Sequence, residues 1–553
     1  MAQIHELTMI ELAAAIRAGE LSPVAVTDHY LRRTTELNDQ IGAFYTITPE
    51  FAADQAREAE KAVAAADDVA ELPPLTGVPI PIKDLNMVVG VRQTLGSKAF
   101  EANVPDTDDY VVVNIKQAGA VITGKTATPE FGLPCYTETA VGPPARTPWD
   151  LSRSAGGSSG GAAAAVAAGL APAAQGSDGG GSIRIPSSVC GLFGIKPTRG
   201  RVSEGPLVPD LYGLGVNGPL ARTVADAALL LDVMAGNFPG DMYTQPPLPA
   251  GEMFLGYASR EPGRLRIGRT LQNPVDGAEV HPDCVAAYEE ASALLASLGH
   301  EVEDIGMPLG PDVVPFFETL WYAYATLAPL APEQEEMLLP LTRYLRGRGQ
   351  AVRAPELFFA QGYLQAVTRA ALVTLNAFDA VLTPTLAMPP RPVGWFDEVE
   401  PAQNFERQKL FTPFTALYNV SGQPAVNVPL HWSDDGLPIG VMLAGRMGDE
   451  GTLISLSAQL EQARPWKDRH PPHLVAHPPG LHIVRMWLQK SARSCSTPAG
   501  CWSSPNPPTS SRRSARRAPI PTWPAWNGPT TTRWPPRTGR PHRLRQPPGG
   551  ATT

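Results

Sequence analysis

The stretch that decides the fold runs from Arg153 to Ser203 and reads RSAGGSSGGAAAAVAAGLAPAAQGSDGGGSIRIPSSVCGLFGIKPTRGRVS. Two pairs of glycines bracket Ser158 and Ser159, and three consecutive glycines precede Ser182. Glycine permits a positive φ and lets the backbone approach a ligand closely. Backbone N–H groups that face one point form a site for an anion or an oxyanion. The stretch therefore indicates a site that is built largely from backbone.

Three interpretations of this stretch compete. A phosphate-binding loop is excluded, because neither GxxxxGKS/T nor GxGxxG occurs in it. A flexible Gly/Ser linker is disfavoured, because the glycines alternate with an Ala-rich helical segment and with the apolar run 182–195. We therefore favour the third interpretation, a nucleophilic serine on a glycine-rich turn.

A serine nucleophile needs a base, and histidine is the usual one. None of the 10 histidines falls between residues 30 and 280, and 5 of them lie at or beyond residue 470. A distant histidine such as His281 or His300 stays an open alternative. Lys83, in VPIPIKDL, ends an apolar run, and burial there would lower the pKa of its ammonium toward neutrality. A solvated or ion-paired role for Lys83 is the competing interpretation.

Helical and apolar patterns alternate along the chain. Helices are predicted over 6–38, with Ser22 and Pro23 starting a second helix inside that range, and over 50–67, 223–236, 284–299 and 452–462. Strands are predicted over 75–85, 120–126, 265–270, 300–305, 378–386, 424–430 and 439–445. This interleaving predicts an α/β protein: one large domain with a mixed, mainly buried β-sheet covered by helices on both faces.

The chain resembles the amidase signature family over about residues 5–470. The resemblance rests on six stretches: GGSSGG, DGGGSIRIPSSVCGLFGIKPTRGRVS, GVPIPIKDL, GKTATPEFG, SGQPAVNVPL and ARPWKDRHPP. The resemblance implies a Ser-cisSer-Lys triad in which Ser182 is the nucleophile, Ser158 the bridging serine and Lys83 the base. It also implies a cis peptide between Gly157 and Ser158. The implied activity is hydrolysis of amide C–N bonds other than peptide bonds, in linear amides, through an acyl-enzyme. Ester and carbamate hydrolysis are further alternatives.

The resemblance assigns further roles around the triad. Oxyanion donors are expected from Gly179, Gly180 and Gly181, with Ser182 as a further donor. Support for the loop is expected from Ser159, Asp178 and Arg184. Two positions depart from the family pattern: Gly179 stands where threonine is frequent, and Ala127 where asparagine is common. Neither departure touches the triad.

Candidate substrate-binding residues are aromatic. Phe316, Phe317 and Trp321 occur close together in FFETLWYAYATLAPL, and Tyr136 and Tyr212 lie near the signature segments. A helix core is the competing interpretation for the first three, since substrate pockets and cores are both apolar. The surrounding motifs most resemble those of stand-alone amidases that act on hydrophobic or synthetic amides.

Charge divides the chain into two parts. Residues 471–553 hold 12 Lys and Arg, no Asp or Glu and 17 Pro, whereas residues 1–470 carry a net charge of -21. We therefore predict an amidase signature domain over 1–472 and a basic, Pro/Arg-rich disordered tail over 473–553. Nucleic-acid binding through this tail is the least favoured function, because the body is acidic.

Other features bound the remaining functional classes. No CxxC pair or zinc-like Cys/His spacing is present, so neither a metal nor a cofactor is expected. No secretory signal and no apolar run long enough for a membrane span occur, which predicts a cytoplasmic protein. The expected partner is a small-molecule amide, with a homodimer as an open alternative. The glutaminase subunit of a tRNA-dependent amidotransferase is the alternative enzyme.

Overall fold

Two β-sheets organise the computed structural model, which describes residues 3–207 and 212–471. The strands of the described residues are β1 (Phe44–Ile47), β2 (Ile82–Lys83), β3 (Gly124–Thr126), β4 (Ala173–Ser177), β5 (Phe193–Lys196), β6 (Asn217–Ala221), β7 (Arg266–Arg269), β8 (Glu301–Asp304), β9 (Ala380–Pro384), β10 (Ala425–Trp432) and β11 (Pro438–Gly445). The small sheet has the order β1-β3-β2, and the large sheet has the order β4-β6-β5-β10-β11-β9-β7-β8.

The large sheet is mixed, as the sequence predicts. Neighbours from β4 to β9 pair antiparallel, whereas β9, β7 and β8 pair in parallel. In the small sheet, β1 runs antiparallel to β3 and β2 runs parallel to it. The two sheets approach each other where Lys83 N, on β2, donates to Gln175 Oε1, on β4, at 2.8 Å.

Helices surround the sheets. They are α1 (Met9–Arg17), α2 (Pro23–Ile41), α3 (Pro49–Ala65), α4 (Tyr110–Gln117), α5 (Gly160–Ala167), α6 (Arg184–Cys190), α7 (Val224–Met234), α8 (Phe254–Tyr257), α9 (Pro282–Ser297), α10 (Val314–Tyr324), α11 (Pro332–Glu336), α12 (Pro340–Ala351), α13 (Ala354–Leu375), α14 (Pro401–Phe411), α15 (Leu417–Ser421) and α16 (Glu450–Ala463). The Ser22 side chain caps α2 and Pro23 occupies its first turn, as predicted.

Both faces of the large sheet are covered. Along β10, Val426 and Val428 belong to one hydrophobic core, whereas Ala425, which precedes Val426 and points to the opposite face, belongs to another. The same alternation holds for Leu443 and Met442 on β11. Because successive side chains of a strand point to opposite faces, the two cores lie on opposite sides of the sheet. The described residues thus form the single α/β domain that the sequence predicts.

Some predicted elements change in extent. The strand predicted over 75–85 shrinks to Ile82–Lys83, with only an isolated bridge at Pro79. Proline lacks a backbone N–H, so Pro79 and Pro81 interrupt a continuous ladder. Strands β4, β5 and β6 were not predicted, because glycine and alanine fill much of them and leave no apolar alternation.

The glycines after Ser158 and Ser159 allow α5 to be buried against neighbouring backbone. A Cβ on Gly161 would lie 2.3 Å from Ala127 N and 2.4 Å from Ala43 O. Gly157 is similarly close to the backbone of Tyr136, at 2.8 Å. These positions require glycine because backbone atoms cannot move aside as a flexible side chain can. The GGSSGG motif therefore lets α5 approach the loop that follows the small sheet.

Part of the predicted organisation lies outside the described residues. The predicted tail, 473–553, falls wholly in this category, and so does the boundary proposed after residue 472. Within residues 3–207 and 212–471, no helix combines the length and apolar character that crossing a bilayer requires.

Replacing Gly161 with alanine should destabilise the fold, whereas Gly347→Ala should not. The added methyl at residue 161 meets backbone atoms, and overpacking of this kind costs about 1–3 kcal/mol or more. Gly347 also lies in a helix, α12, but a Cβ there meets nothing within 4 Å. Alanine at that position should add about 1 kcal/mol of stability. Thermal unfolding of both variants checks this, and equal midpoints would contradict the packing described here.

Candidate active site

Lys83 ends β2 with its ammonium beside two serines. Its Nζ donates to Ser158 Oγ at 2.7 Å, to Ser177 Oγ at 3.0 Å and to Ser177 O at 3.2 Å. Lys83 is 0% exposed. The Gly157–Ser158 peptide is cis, as the resemblance implies. The residues predicted as base and bridging serine are therefore in direct contact inside the protein.

The environment of Lys83 favours the neutral amine. Burial lowers the pKa of Lys83 from 10.5 to about 7, although the charges of Asp178 and Glu204 partly oppose this shift. No carboxylate of the described residues forms a salt bridge with Lys83 Nζ, and its three hydrogen-bond partners are uncharged oxygens. An amine with a pKa near 7 can accept a proton at neutral pH.

Ser182 lies at the floor of an open pocket, next to the buried Lys83–Ser158 pair. Its carbonyl accepts a hydrogen bond from Ser159 N at 3.1 Å, which joins the two serine motifs. Within the described part of the chain, the Ser182 hydroxyl makes no hydrogen bond, to Ser158 or to another residue. Catalytic hydrogen bonds are frequently long in a structure without substrate and tighten in the complex.

A buried carboxylate shapes the loop around Ser182. Asp178 accepts hydrogen bonds from the backbone N–H groups of Gly181 at 2.7 Å and Ile183 at 3.0 Å. It also pairs with Arg184, whose Nη2 lies 2.8 Å from Asp178 Oδ1, and both side chains are 0% exposed. Burial alone would raise the pKa of Asp178, but Arg184, Lys196 and Asn419 hold that pKa well below its usual range. The loop-supporting positions predicted for Asp178 and Arg184 agree with these contacts.

The loop leaves some N–H groups free. Gly181 N–H is taken by Asp178, so it cannot also meet an oxyanion, and this corrects the prediction for that residue. The N–H groups of Gly179, Gly180 and Ser182 have no acceptor among the described residues. They therefore remain available to a negatively charged oxygen. Thr415 Oγ1 holds the loop from the other side by donating to Gly180 O at 2.6 Å.

Several residues of this cluster were not found from the sequence. Ser177 contacts Lys83 directly, and Ser159, predicted as a support, bonds Ser177 rather than Lys83 or Ser158. Gln175 accepts from Lys83 N and donates to Asn86 Oδ1 at 2.9 Å and to Asn217 Oδ1 at 2.7 Å. The sequence offered one sign that Gln175 and Ser177 belong to the site, namely their position just before Asp178. A lone glutamine or serine is not part of a recognisable catalytic motif.

The pocket above Ser182 is largely apolar. Its walls are formed by residues such as Leu133, Leu309, Val313, Phe317, Trp321, Phe405 and Leu417. Its charged lining residue is Lys409, which pairs with Glu406 at 2.7 Å and also with Glu318. Gln408, another polar lining residue, is occupied by Cys135 N and Asn404. Such a pocket suits an uncharged and mostly hydrocarbon group.

Two of the five predicted aromatic residues line this pocket. Trp321 and Phe317 approach the glycine loop, and a Cβ on Gly180 would lie 3.4 Å from the Trp321 ring. Phe316, on the next helical position, instead packs against Phe359 and Tyr363.

Both predicted tyrosines also lie elsewhere, so their assignment to the pocket is corrected. Tyr136 is buried, stacks on Phe396 and donates to Asp397 at 2.6 Å. The Arg199 guanidinium carbon lies 5.5 Å from the centroid of the Tyr212 ring. The hydrogen bond and the cation–π contact hold the two rings away from the substrate space.

Within residues 3–207 and 212–471, no group of three or more His, Cys, Asp or Glu side chains could hold a metal ion. The arrangement beside the pocket therefore consists of hydroxyls, one amine and backbone N–H groups. Such groups can deliver a nucleophile, accept its proton and stabilise an oxyanion.

Known proteins are similar to this chain in sequence and in fold. The sequence model of the family described as Amidase matches residues 25–454. The putative amidase AmiB2 of Mycobacterium tuberculosis is 39% identical over 468 residues, which cover 83% of this chain and 96% of that protein. The 6-aminohexanoate-cyclic-dimer hydrolase of Paenarthrobacter ureafaciens is 36% identical, with 83% and 95% of the two chains covered.

A solved structure of 6-aminohexanoate cyclic dimer hydrolase superimposes with a TM-score of 0.78 at 34% identity and covers 86% of this chain and 100% of that one. The serine motifs, the buried lysine and the mixed sheet thus occur in a chain that matches its relatives over nearly their full length. The chain belongs to the amidase family and is a hydrolase of amide C–N bonds.

Proposed function

We propose that this amidase hydrolyses uncharged, largely apolar carboxylic amides through an acyl-enzyme on Ser182. The observation that carries the proposal is the 2.7 Å contact between a buried Lys83, with a pKa of about 7, and Ser158, next to the pocket floor formed by Ser182. Lys83 itself does not line the pocket. A proton from the nucleophile must therefore reach it through an intervening group.

The reaction begins when Ser182 Oγ attacks the amide carbonyl carbon. The Ser182 proton passes to Ser158 Oγ while the Ser158 proton passes to Lys83 Nζ, so Ser158 ends as neutral as it began. The carbonyl oxygen becomes an oxyanion that the N–H groups of Gly179, Gly180 and Ser182 stabilise. Losing one such donor typically costs about 10²–10³ in rate.

The tetrahedral intermediate then collapses and the C–N bond breaks. The leaving amine takes a proton from Ser158, which recovers one from Lys83, and an acyl ester remains on Ser182. Water attacks this ester while the same relay accepts its proton, and the carboxylic acid leaves. Each proton that Lys83 accepts is returned, so the enzyme is regenerated unchanged.

The pocket lining supports apolar substrates over glutamine. Free glutamine carries a charged α-ammonium and α-carboxylate, but the charge of Lys409 is already balanced by Glu318 and Glu406. The similarity to hydrolases of a cyclic 6-aminohexanoate dimer also favours a neutral aliphatic amide, because a cyclic dimer has no charged ends. The glutaminase alternative is therefore disfavoured. Esters and carbamates, which react through the same kind of intermediate, are included in the proposal.

Three predictions from the sequence remain as they were. A cytoplasmic location is part of the proposal, and a homodimer stays an open alternative. We expect no nucleic-acid partner, because the net charge of residues 1–470 is -21.

Ser182→Ala should abolish turnover while leaving the fold intact. Removing a nucleophile typically lowers kcat by at least about 10³-fold. Hydrolysis of a para-nitroanilide and covalent labelling by a fluorophosphonate probe check this, with Ser297→Ala, at the exposed end of α9, as the control. Stoichiometric labelling of Ser182→Ala protein would show that another residue is the nucleophile.

Activity should rise with pH through about 7, because Lys83 accepts a proton only when neutral and its pKa is lowered to about 7. Below that pH, kcat/KM should fall about tenfold per pH unit, since the neutral fraction falls in that proportion. Lys83→Met should remove nearly all activity at every pH.

Glu204→Gln offers a matched test of this assignment. The Glu204 carboxylate favours the protonated form of Lys83, so its neutralisation should move the acidic limb of the profile to lower pH. A profile that is flat across neutrality, or full activity in Lys83→Met with loss on changing His281 or His300, would contradict the Ser-Ser-Lys relay.

Phe317→Ala should weaken binding of apolar amides, whereas Phe316→Ala should not. Phe317 lines the pocket, and its neighbour on α10 packs against Phe359 instead. Loss of a buried phenyl contact costs about 1.5–3 kcal/mol, which corresponds to a rise in KM of about tenfold or more. Steady-state kinetics on an aliphatic anilide compare the two variants. Equal KM values would show that substrate does not occupy this pocket.

A further inference from the structure

A second cleft shares no lining residue with the pocket above Ser182. It opens between the first described residues, including His5 and Glu6, and the last ones, from Trp466 to Pro471. Arg33 of α2 and Arg222, which follows β6, also line it. This cleft thus brings together segments that are far apart in the sequence.

The cleft is lined by four cationic side chains and by one carboxylate, that of Glu6. Arg33, Arg222, Lys467 and Arg469 line it, and within the described residues none of them forms a salt bridge. Arg33 donates to Gly169 O at 3.1 Å, and the Arg469 guanidinium lies 4.4 Å from the Trp432 ring centroid. Beyond salt-bridge distance, the carboxylates of Glu6 and Glu36 act on Arg33, Asp226 acts on Arg222, and Glu461 acts on Lys467.

The hydrogen bonds of Arg222 and Glu6 bear on the charge of the cleft. Arg222 donates through Nη2 to Leu7 O, but its Nε is buried without a hydrogen-bond partner. Glu6 is the acidic residue of the cleft lining, and its carboxylate accepts from Gln3 N at 2.6 Å. In a body of strongly negative net charge, four cations around one cleft with one carboxylate constitute a local site for an anion.

The walls of the cleft are apolar and aromatic. Trp149 and Trp466 both line it, and each uses its indole N–H on backbone: Trp149 on Cys190 O and Trp466 on Arg222 O, both at 2.9 Å. With their donors occupied, the two rings offer the cleft their apolar surfaces. Val166 and Leu192 extend these walls.

Cations beside aromatic walls define a ligand chemistry. Guanidinium groups bind carboxylate and phosphate through charge-assisted hydrogen bonds, and indole faces bind flat or hydrocarbon groups. We propose that this cleft is a second binding site that takes a small organic anion, an acid group carried on an apolar body. The C-terminal ends of α5 and α6 line the cleft, so its ligand contacts both helices that follow the serine motifs.

Calorimetric titration of the full chain carrying Ser182→Ala tests this site. The probes are benzoate, phenyl phosphate and, as a neutral control, benzyl alcohol. We expect saturable binding of at least one acid, weaker at high salt, and much weaker binding of the alcohol. Benzoate and phenyl phosphate distinguish a carboxylate site from a phosphate site, and failure of both acids to bind would overturn the proposal.

Variants assign the binding to the cleft rather than to the pocket above Ser182. Arg222→Gln should weaken acid binding about tenfold or more, as expected for loss of a charge-assisted hydrogen bond. Arg57→Gln, which removes the same charge from the exposed face of α3, should leave affinity unchanged. Because Arg222 also supports the N-terminal segment, the exposed pair Lys467→Gln and Arg469→Gln provides an independent variant. Unchanged affinity in that double variant and in Arg222→Gln would place the acid elsewhere and refute the site.

Discussion

The buried ion pair between Asp178 and Arg184 is the constraint on which the serine loop depends. Removing two charges from water is costly and is repaid only when every remaining donor and acceptor is satisfied. Asp178 meets this condition by accepting from Gly181, Ile183 and Arg184, while Asn419 donates to its side chain and carbonyl. One carboxylate thereby decides which backbone N–H groups are consumed and which stay free beside Ser182.

The two lysines on neighbouring strands of the small sheet, Lys83 and Lys125, have different partners at their ammonium groups. Lys125 on β3 is fully buried but pairs with Asp84 at 3.0 Å, as expected of a structural charge. Lys83, on the adjacent strand β2, is equally buried yet has only hydroxyl and carbonyl partners at its amine. The contrast shows that burial of a lysine does not by itself create a proton acceptor. Burial lowers the pKa of both lysines. For Lys125 the adjacent Asp84 opposes this shift, whereas for Lys83 the opposing charges of Asp178 and Glu204 make no contact with the amine.

The sequence predicted the parts of the protein that depend on local pattern. Helix starts such as Ser22–Pro23 and the mixed α/β architecture agree with the structure. The contact between Lys83 and Ser158 was implied only by the family resemblance, because the two residues are 75 positions apart. Strands β4 to β6 were missed, because their glycines and alanines gain strand geometry only from pairing with distant strands. The aromatic residues were predicted to bind substrate because of their residue type alone. On α10, however, Phe317 and Phe316 point in different directions: Phe317 lines the pocket, whereas Phe316 packs against Tyr363. The hydrogen bond from Gly181 N to Asp178 Oδ1 likewise could not be predicted, because it depends on the three-dimensional course of the loop and no sequence motif specifies it.

The division into two sheets has a consequence for how the enzyme becomes active. Lys83 belongs to the small sheet, whereas the segment from Ser177 to Ser182 leaves β4 of the large sheet. Lys83 and Ser177 are 94 residues apart, and no single strand ladder joins them. Each sheet can form its own hydrogen bonds without assembling the amine–hydroxyl cluster. The contacts of Lys83 with Ser158 and Ser177 therefore depend on the docking of two separately paired sheets and on residues far apart in the sequence, not on either strand ladder alone.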